Sequence, residues 1–466
     1  MPIMPTIWQR RLAAIENTLG ILSERYIDES HGSRRTETLT MLLASLFSFA
    51  RQQFTFFHDG LLTRRIVNLL PVVDDPHSAF HGYNMGYPLD EHLLNTTLQQ
   101  IAEDAVVIQR AAEQRDVSNH YIQMPPIPAG ETDIYFTLAE IDRLAYAGQR
   151  LLGGYLPAEI SSTVVTYFRR AANVRVIPYA PVALIGIPIT AIGLGRGIGV
   201  TEDLLAIPHE LGHHLYWNGA SDGSPARAKR FCRQMPQRLH GSPVAHWAEE
   251  LFADVISCVV GGPAVARSFL EMLLTEIGPR FTDSHNVHPT PELRPYIYGK
   301  ILEHLGFTAN AQAVKAKWDE LLGARRVYAD RTMLFAAYEA VESIFDLLSP
   351  QLPTLAAQPT WSEDCAFDEL YTNFRGRLTR LIQDVPIEDL IAPVESTDWR
   401  TLGDSLLNSD KLRSLPDDWA AQANAPTEAT PAVIPPLDFA PDEWLTIFEF
   451  DGWTTAGPRA GHGGGG

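Results

Sequence analysis

His209-Glu210-Leu211-Gly212-His213 is the stretch from which the rest of this sequence is best interpreted. Two histidines four residues apart on a helix lie on the same face, one turn from each other. Both imidazoles can then bind one Zn²⁺, and the glutamate beside the first is placed to take a proton from a metal-bound water. The pentapeptide therefore predicts a helix that carries a zinc site and a general base.

A second segment, Ala245–Asp254, offers the ligand that two histidines leave missing. Catalytic zinc usually takes three protein ligands and a water. Glu250 and Asp254 stand four residues apart, so one helix face presents both carboxylates. We expect Glu250 to complete a His₂Glu site and Asp254 to accept the spare ring N–H of a ligating histidine. The alternative is that Glu249 and Glu250 are an ordinary surface acidic pair at the start of a core helix.

On these residues the chain resembles the gluzincin group of zinc metallopeptidases, the thermolysin-like clan, in which HExxH on one helix is followed by E-x-x-x-D on the next. The resemblance covers roughly residues 170–300. It implies metal ligands at His209, His213 and Glu250, a general base at Glu210, and a histidine-orienting carboxylate at Asp254. The metzincin pattern does not fit, because its third histidine and its glycine would fall on Gly219 and Tyr216.

The resemblance also implies a fold and a second functional segment. The expected class is α+β and mostly helical, with a zincin-like metallopeptidase core, a small β-sheet and helical flanks. Several members of the clan carry an H-P…R segment after the glutamate helix, and in others a His or Tyr from this region reaches the developing oxyanion. His288 is the first choice for that donor, followed by Tyr296, with Tyr298 and His285 behind them. The alternative is a proline-rich loop that opens the next helix, with Arg294 as an anchor for a buried acid.

The composition limits which partners are plausible. The chain has 466 residues, a formal net charge of −19 at pH 7 and three cysteines. Binding to phosphate backbones requires clustered Lys and Arg, which this charge balance does not favour. The N-terminus lacks the pattern of a signal peptide, and the uncharged runs are too short or too rich in Pro and Gly for a lipid-facing helix. Three cysteines provide no disulfide framework. We therefore expect a cytoplasmic protein with no nucleic-acid and no membrane partner.

Periodicity and breaker residues divide the chain into four regions. Residues 1–130 and 306–420 show apolar positions at helical spacing. Residues 131–305 hold the motifs together with short β-rich runs bounded by proline. Residues 421–466 begin as a linker of Ala, Pro and Thr and continue into an acidic, aromatic tail.

Two of these segments carry expectations of their own. The β-rich run 182–189 precedes the HExxH helix, and in the zincin arrangement such a strand forms the upper rim of the cleft. We expect it to pair with an extended substrate backbone by strand addition. The tail at 437–453 is too short for a core of its own, so it is expected to dock, either on this chain or on a partner. It either packs permanently on the helical domain or lies against the protease body and limits access to the cleft.

The expected function is a zinc-dependent peptidase with a peptide or protein substrate and Zn²⁺ as its cofactor. Zinc and His288, or a nearby tyrosine, would stabilise the tetrahedral oxyanion while Glu210 transfers the proton. Two alternatives stay open at this point. One is a non-catalytic regulatory or interaction protein on a zincin scaffold, and the other is a latent protease that acts on a single partner protein.

Overall fold

The computed structural model describes fifteen stretches of the chain. They are residues 7–26, 34–54, 98–99, 101–114, 134–157, 164–169, 173–176, 182–188, 206–274, 281–282, 288–325, 327, 329–350, 352 and 398–408. The acidic aromatic tail 437–453, the linker before it and His285 lie outside the described residues, and the expectations about them stay predictions.

Helices dominate the described residues. The helices are α1 (Ile7–Tyr26), α2 (Arg34–Phe54), α3 (101–114), α4 (Ile134–Leu151), α5 (Ala206–Asn218), α6 (Phe231–Arg238), α7 (Ala248–Gly261), α8 (Pro263–Leu274), α9 (Arg294–His304), α10 (Thr308–Arg325), α11 (Arg331–Leu348) and α12 (Trp399–Asn408). Short 3₁₀ turns cover Gly153–Tyr155, Arg227–Lys229 and Ala245–Trp247. With the small sheet described below, this confirms the mostly helical class expected from the sequence. None of the described helices combines the length and apolar character that a bilayer crossing requires.

By its internal contacts the chain divides into two compact units. The first comprises residues 1–30, 39–110 and 396–466, and the second comprises residues 31–38 and 111–395. In the first unit, Arg51 of α2 pairs with Glu16 of α1 at 2.9 Å. The candidate metal ligands all belong to the second unit. This division differs from the expected boundaries near residues 130, 305 and 420, which remain predictions.

The sheet has three strands, β1 (Val165–Arg169), β2 (Asn173–Val176) and β3 (Ala183–Pro188), in the order β1-β3-β2. β3 pairs in parallel with β1 and antiparallel with β2, and residues 184–186 have a partner on both sides. A strand flanked on both sides has its ladder groups already paired. For residues 184–186, the centre of the run 182–189, the expectation of pairing with a substrate backbone is therefore wrong. Among the described strands, the outer edges belong to β1 and β2.

Two contacts join the helices of the second unit to the sheet and to each other. Buried Asp142 of α4 accepts hydrogen bonds from the backbone N–H of Thr166 at 3.0 Å and from its hydroxyl at 2.5 Å, which ties α4 to β1. α5 crosses α7 at Gly212, where a Cβ atom would stand 2.6 Å from the Cα of Ala253. Real side chains essentially never come so close, so glycine at 212 is what lets the two helix backbones touch. This contact brings the HExxH helix against the glutamate helix.

The helices after residue 305 pack directly on the helices that precede them. α10 packs on α8 and α9, and α11 packs on α7 and α9. Trp318 of α10 is fully buried and donates its indole N–H to the backbone oxygen of Glu292 at 2.8 Å. The hydroxyl of buried Tyr155 donates to the backbone oxygen of Leu348, the last residue of α11, at 2.6 Å. These helices therefore form part of the support behind the glutamate helix.

Candidate metal centre

The two histidines of the HExxH motif face each other at the contact of α5 with α7. Their Nε2 atoms are 3.2 Å apart, and both rings are almost removed from solvent. Glu250, in the first turn of α7, brings Oε2 to 3.5 Å from Nε2 of His209 and Oε1 to 3.5 Å from Nε2 of His213. These three side chains form a buried group whose ligand atoms are close enough to hold one metal ion.

The spacing of the three groups can be compared with that around a bound zinc. Zinc bonds to histidine nitrogen and carboxylate oxygen are about 2.0–2.2 Å, so neighbouring ligand atoms of a tetrahedral site lie about 3.3–3.5 Å apart. The Nε2 atoms of the two histidines, 3.2 Å apart, come close to such an edge, and each of them has a different oxygen of Glu250 at 3.5 Å. Two imidazole nitrogens and one carboxylate oxygen are also a donor set that suits zinc. The residues present therefore fit a metal ion held by three protein side chains.

Asp254 stands behind His209, one turn further along α7. Its Oδ1 is 3.1 Å from Nδ1 of His209, although not along the line that a hydrogen bond from this nitrogen requires. The carboxylate is completely buried and accepts from Nε of Arg294 at 2.9 Å, from Nη2 of Arg294 at 2.6 Å and from the hydroxyl of Tyr298 at 2.7 Å. A buried charge requires such partners. Asp254 is thus a fixed negative charge against the outer nitrogen of a candidate ligand.

Arg294 connects Asp254 to Glu250. Its Nη2 also donates to Oε2 of Glu250 at 3.1 Å, and its guanidinium lies 4.9 Å from the centre of the Phe269 ring. The residue opens α9, directly after the proline-rich turn. The sequence left two roles open for Arg294: a part in the chemistry of the H-P…R segment, or an anchor for a buried acid. In the structure Arg294 donates hydrogen bonds to two buried acids, Asp254 and Glu250. The H-P…R spacing was the signal available in the sequence.

The charged groups of this cluster lower the pKa of Asp254 and raise the pKa of His209, so that each shift favours the charged form. Burial works to raise the pKa of Asp254, but the charge of Arg294 and the contacts with His209 outweigh it and lower that pKa. Burial works to lower the pKa of His209, but the contacts with Asp254 and Glu250 raise it to about 10. Without a metal ion, the site therefore keeps a proton on this histidine at neutral pH. A metal ion would have to displace that proton, as is general for histidine ligands.

His213 has a different carboxylate behind it. Its Nδ1 is 2.8 Å from Oε1 of Glu249, and the same oxygen accepts the indole N–H of Trp217 at 2.9 Å. Burial works to lower the pKa of His213, but the hydrogen bond with Glu249 and the charge of Glu250 raise it. Glu249 and Glu250 lie in the first turn of α7, as the surface-pair alternative assumed, yet Glu250 is buried and Glu249 is half-buried. The sequence reasoning missed the roles of Glu249 and Trp217 behind His213. The one available signal was that Trp217, a hydrogen-bond donor, lies four residues after His213.

Glu210, the expected general base, lies beside the metal-binding group. Its Oε2 is 3.9 Å from Nε2 of His213, and its side chain is 15% exposed. Burial is the largest influence on its carboxyl and raises the pKa above the ordinary value. A carboxylate with a raised pKa is a better proton acceptor near neutral pH.

The expected oxyanion donors are placed unequally. Nε2 of His288 is 3.2 Å from Oε1 of Glu250, and its side chain is 53% exposed. The hydroxyl of Tyr296 instead donates to Asp319 of α10, and its ring packs on the core formed by α8 and α10. Tyr298, two residues on, points to the opposite side of α9 and donates to Asp254. The structure therefore brings His288 to the metal-binding group and does not bring Tyr296 there.

Compared with protein-family models, with curated proteins and with solved structures, the chain matches none significantly. The candidate metal centre is thus defined by the chain's own geometry: a His-His-Glu group at metal-binding distance in a mostly helical protein.

Proposed function

We propose that this protein is a zinc-dependent peptidase of the gluzincin type, with Zn²⁺ held by His209, His213 and Glu250. The observation that carries the proposal is the buried His-His-Glu group, whose ligand atoms lie close enough together to hold one metal ion. Asp254 behind the first histidine and Glu210 beside the second support it, because both are the groups that such an enzyme requires.

The donor set favours a catalytic site over a structural one. Closed structural zinc sites prefer four protein ligands rich in cysteine. The group described here offers three ligands and no cysteine, and Glu210, which is not one of the three, lies 3.9 Å from Nε2 of His213. Zinc bound in such a place supplies Lewis acidity, both to a water molecule and to the carbonyl of a substrate.

The side chains of the protein would carry the proton transfers and orient the substrate. Glu210 takes a proton from the attacking water while the oxygen of that water adds to the carbonyl carbon of the scissile bond. Glu210 then delivers that proton to the amide nitrogen, which leaves as the C–N bond breaks. His288, half-exposed beside Glu250, is the group placed to donate a hydrogen bond to the oxyanion. Arg294 and Tyr298 hold Asp254 still, so that His209 keeps its orientation.

The substrate class proposed is a peptide or protein in extended conformation. A substrate strand that pairs with the sheet must use an outer strand, since β3 is flanked on both sides. Among the described outer strands, β2 is the one that packs on α5, the helix of the two histidines. A substrate on the outer edge of β2 would therefore run close to the metal-binding face, in the strand-addition manner of peptide recognition.

The test combines metal analysis with a cleavage assay on the same samples. Wild type, Glu250→Ala and Glu210→Gln are purified, with His240→Ala as the control because His240 is exposed. We expect about one zinc per chain in wild type, Glu210→Gln and His240→Ala, and a loss in Glu250→Ala, by elemental analysis.

Cleavage of a quenched peptide library should be sensitive to chelators. It should persist in His240→Ala and fall by several orders of magnitude in Glu210→Gln. Near-normal turnover in Glu210→Gln would refute the role of this residue. Zinc without any cleavage would favour the alternatives, a latent protease for one partner protein or a regulatory scaffold. Absence of zinc in wild type, even after reconstitution, would refute the metal site itself.

A further inference from the structure

Trp217 lies one helical turn beyond His213 on α5, and both side chains reach the same oxygen of Glu249. The indole Nε1 donates to Oε1 at 2.9 Å, and Nδ1 of His213 stands 2.8 Å from that oxygen. Trp217 is 8% exposed, whereas Glu249 is half-buried. The indole is therefore the more deeply buried of the two groups that meet the carboxylate. The proposed chemistry makes no use of this tryptophan.

The hydrogen-bonding capacity of the indole sets the direction of the other bond. A tryptophan N–H can only donate, so the oxygen of Glu249 that it meets must accept. A carboxylate oxygen that accepts from the indole also accepts from the ring nitrogen on its other side, which places the proton of His213 on Nδ1. A neutral imidazole with Nδ1 protonated presents its lone pair on Nε2. Nε2 is the atom that faces His209 and Glu250.

The two histidines therefore receive their orientation in different ways. Behind His209, Asp254 is held by Arg294 and Tyr298, which reach it from α9. Behind His213, Glu249 is held by Trp217, which lies on the same helix as His213. The contact also joins the C-terminal turn of α5 to the N-terminal turn of α7.

We propose that Trp217 is a positioning residue of the metal centre: its indole N–H holds the carboxylate of Glu249, and Glu249 holds His213 with Nε2 towards the metal. The inference rests on the proposed zinc site and deepens it. It assigns a role to a residue that touches neither the metal nor the substrate.

Zinc affinity tests the proposal without reference to turnover. Dissociation constants are measured by competition with a chromophoric chelator for wild type, Trp217→Phe, Glu249→Ala and the double variant. Loss of a carboxylate behind a metal-binding histidine typically weakens affinity by about 10–100-fold, and we expect that for Glu249→Ala. Trp217→Phe should weaken it measurably, by several-fold and up to about tenfold. The double variant should bind no more weakly than Glu249→Ala, because Trp217 acts through Glu249.

Two further variants separate positioning from simple packing. Glu249→Gln still offers an acceptor oxygen to both donors, so its affinity should return to within a few-fold of wild type. Glu271→Ala is the matched control, since it removes an exposed carboxylate that pairs with Arg267 on α8. Unfolding is followed with chelator present, so that a loss of fold stability is distinguished from a loss of zinc affinity.

Several results would overturn the inference. One is wild-type zinc affinity in Trp217→Phe, and another is an effect in the double variant equal to the product of the single effects. If Trp217→Phe does not fold, the two Glu249 variants decide: equal zinc affinity of Glu249→Ala and wild type contradicts the arrangement. Zinc that binds with dependence on Glu250 but not on Trp217 refutes this inference alone. A wild type that binds no zinc refutes it together with the proposed function.

Discussion

Replacing Gly212 with alanine should separate the two helices that build the metal centre. A Cβ at this position would stand 2.6 Å from the Cα of Ala253 and 3.0 Å from its carbonyl oxygen. Carbon atoms in contact prefer about 3.5–4.0 Å, so the backbones of α5 and α7 must move apart by roughly 1 Å. His209 and His213 lie on α5 and Glu250 on α7. The same displacement therefore widens the gap between histidine nitrogens and carboxylate oxygens, now 3.5 Å.

Two opposite effects on stability decide the size of the result. Alanine is favoured over glycine inside a helix by about 1 kcal/mol. Forcing an extra carbon into a close-packed contact costs about 1–3 kcal/mol, and here the obstacle is backbone, which cannot rotate away. We expect a net loss of up to about 2 kcal/mol in the metal-free protein, taking the difference of these terms. Because metal sites tolerate changes of only about 0.2 Å in bond length, zinc affinity should fall at least about tenfold.

The control is Gly323→Ala. Gly323 is exposed in α10, and a Cβ there would meet nothing within 4 Å. This variant should gain about 0.5–1 kcal/mol and leave zinc affinity unchanged. Urea unfolding with chelator present gives the stabilities, and competition with a chromophoric chelator gives the affinities. If Gly212→Ala is as stable as Gly323→Ala and binds zinc like wild type, the close approach of α5 and α7 is not what assembles the site.

Three further predictions concern Asp254 and the buried residues around it. Arg294→Ala leaves this carboxylate without its cation and should cost about 3–5 kcal/mol in urea unfolding of the metal-free protein; a loss under 1 kcal/mol would contradict the pairing. Tyr298→Phe removes one buried donor and should cost about 1–3 kcal/mol. Tyr296, also on α9, makes a solvent-exposed hydrogen bond, so Tyr296→Phe should leave the free energy of unfolding nearly unchanged. Equal losses in Tyr296→Phe and Tyr298→Phe would contradict the different placement of the two hydroxyl groups. Burial and the charge of Asp254 raise the pKa of the Cys258 thiol well above its usual 9.0. The folded protein should therefore resist alkylation at Cys258 at pH 9, while the unfolded chain reacts. Rapid labelling of Cys258 in the folded protein, mapped by peptide mass, would refute the burial.

Local spacing explains how much of the site could be predicted from the sequence. Residues four apart share a helix face whatever the tertiary structure, so placing His209 with His213 and Glu250 with Asp254 required only that these segments be helical. α5 also ends at Asn218, directly before Gly219, and glycine is the residue that most often follows the end of a helix. The mostly helical class follows from the same periodicity.

Contacts between elements could not be predicted in this way. Whether Tyr296 or Tyr298 faces Asp254 depends on how α9 is rotated against α7, and the identity of the residues does not determine that rotation. The position of β3 in the centre of the sheet depends on strand order, since a β-rich run has the same pattern at the edge of a small sheet as in its middle.

The sequence by itself determined which side chains are the candidate metal ligands and which share a helix face, because helical geometry repeats over a few residues and needs no partner. The tertiary structure decided which faces meet: Gly212 against Ala253, Arg294 across two buried acids, and Glu249 with Trp217. The physical reason is that burial and charge pairing act between segments distant in the chain. Their free energy depends on packing geometry that no local pattern contains.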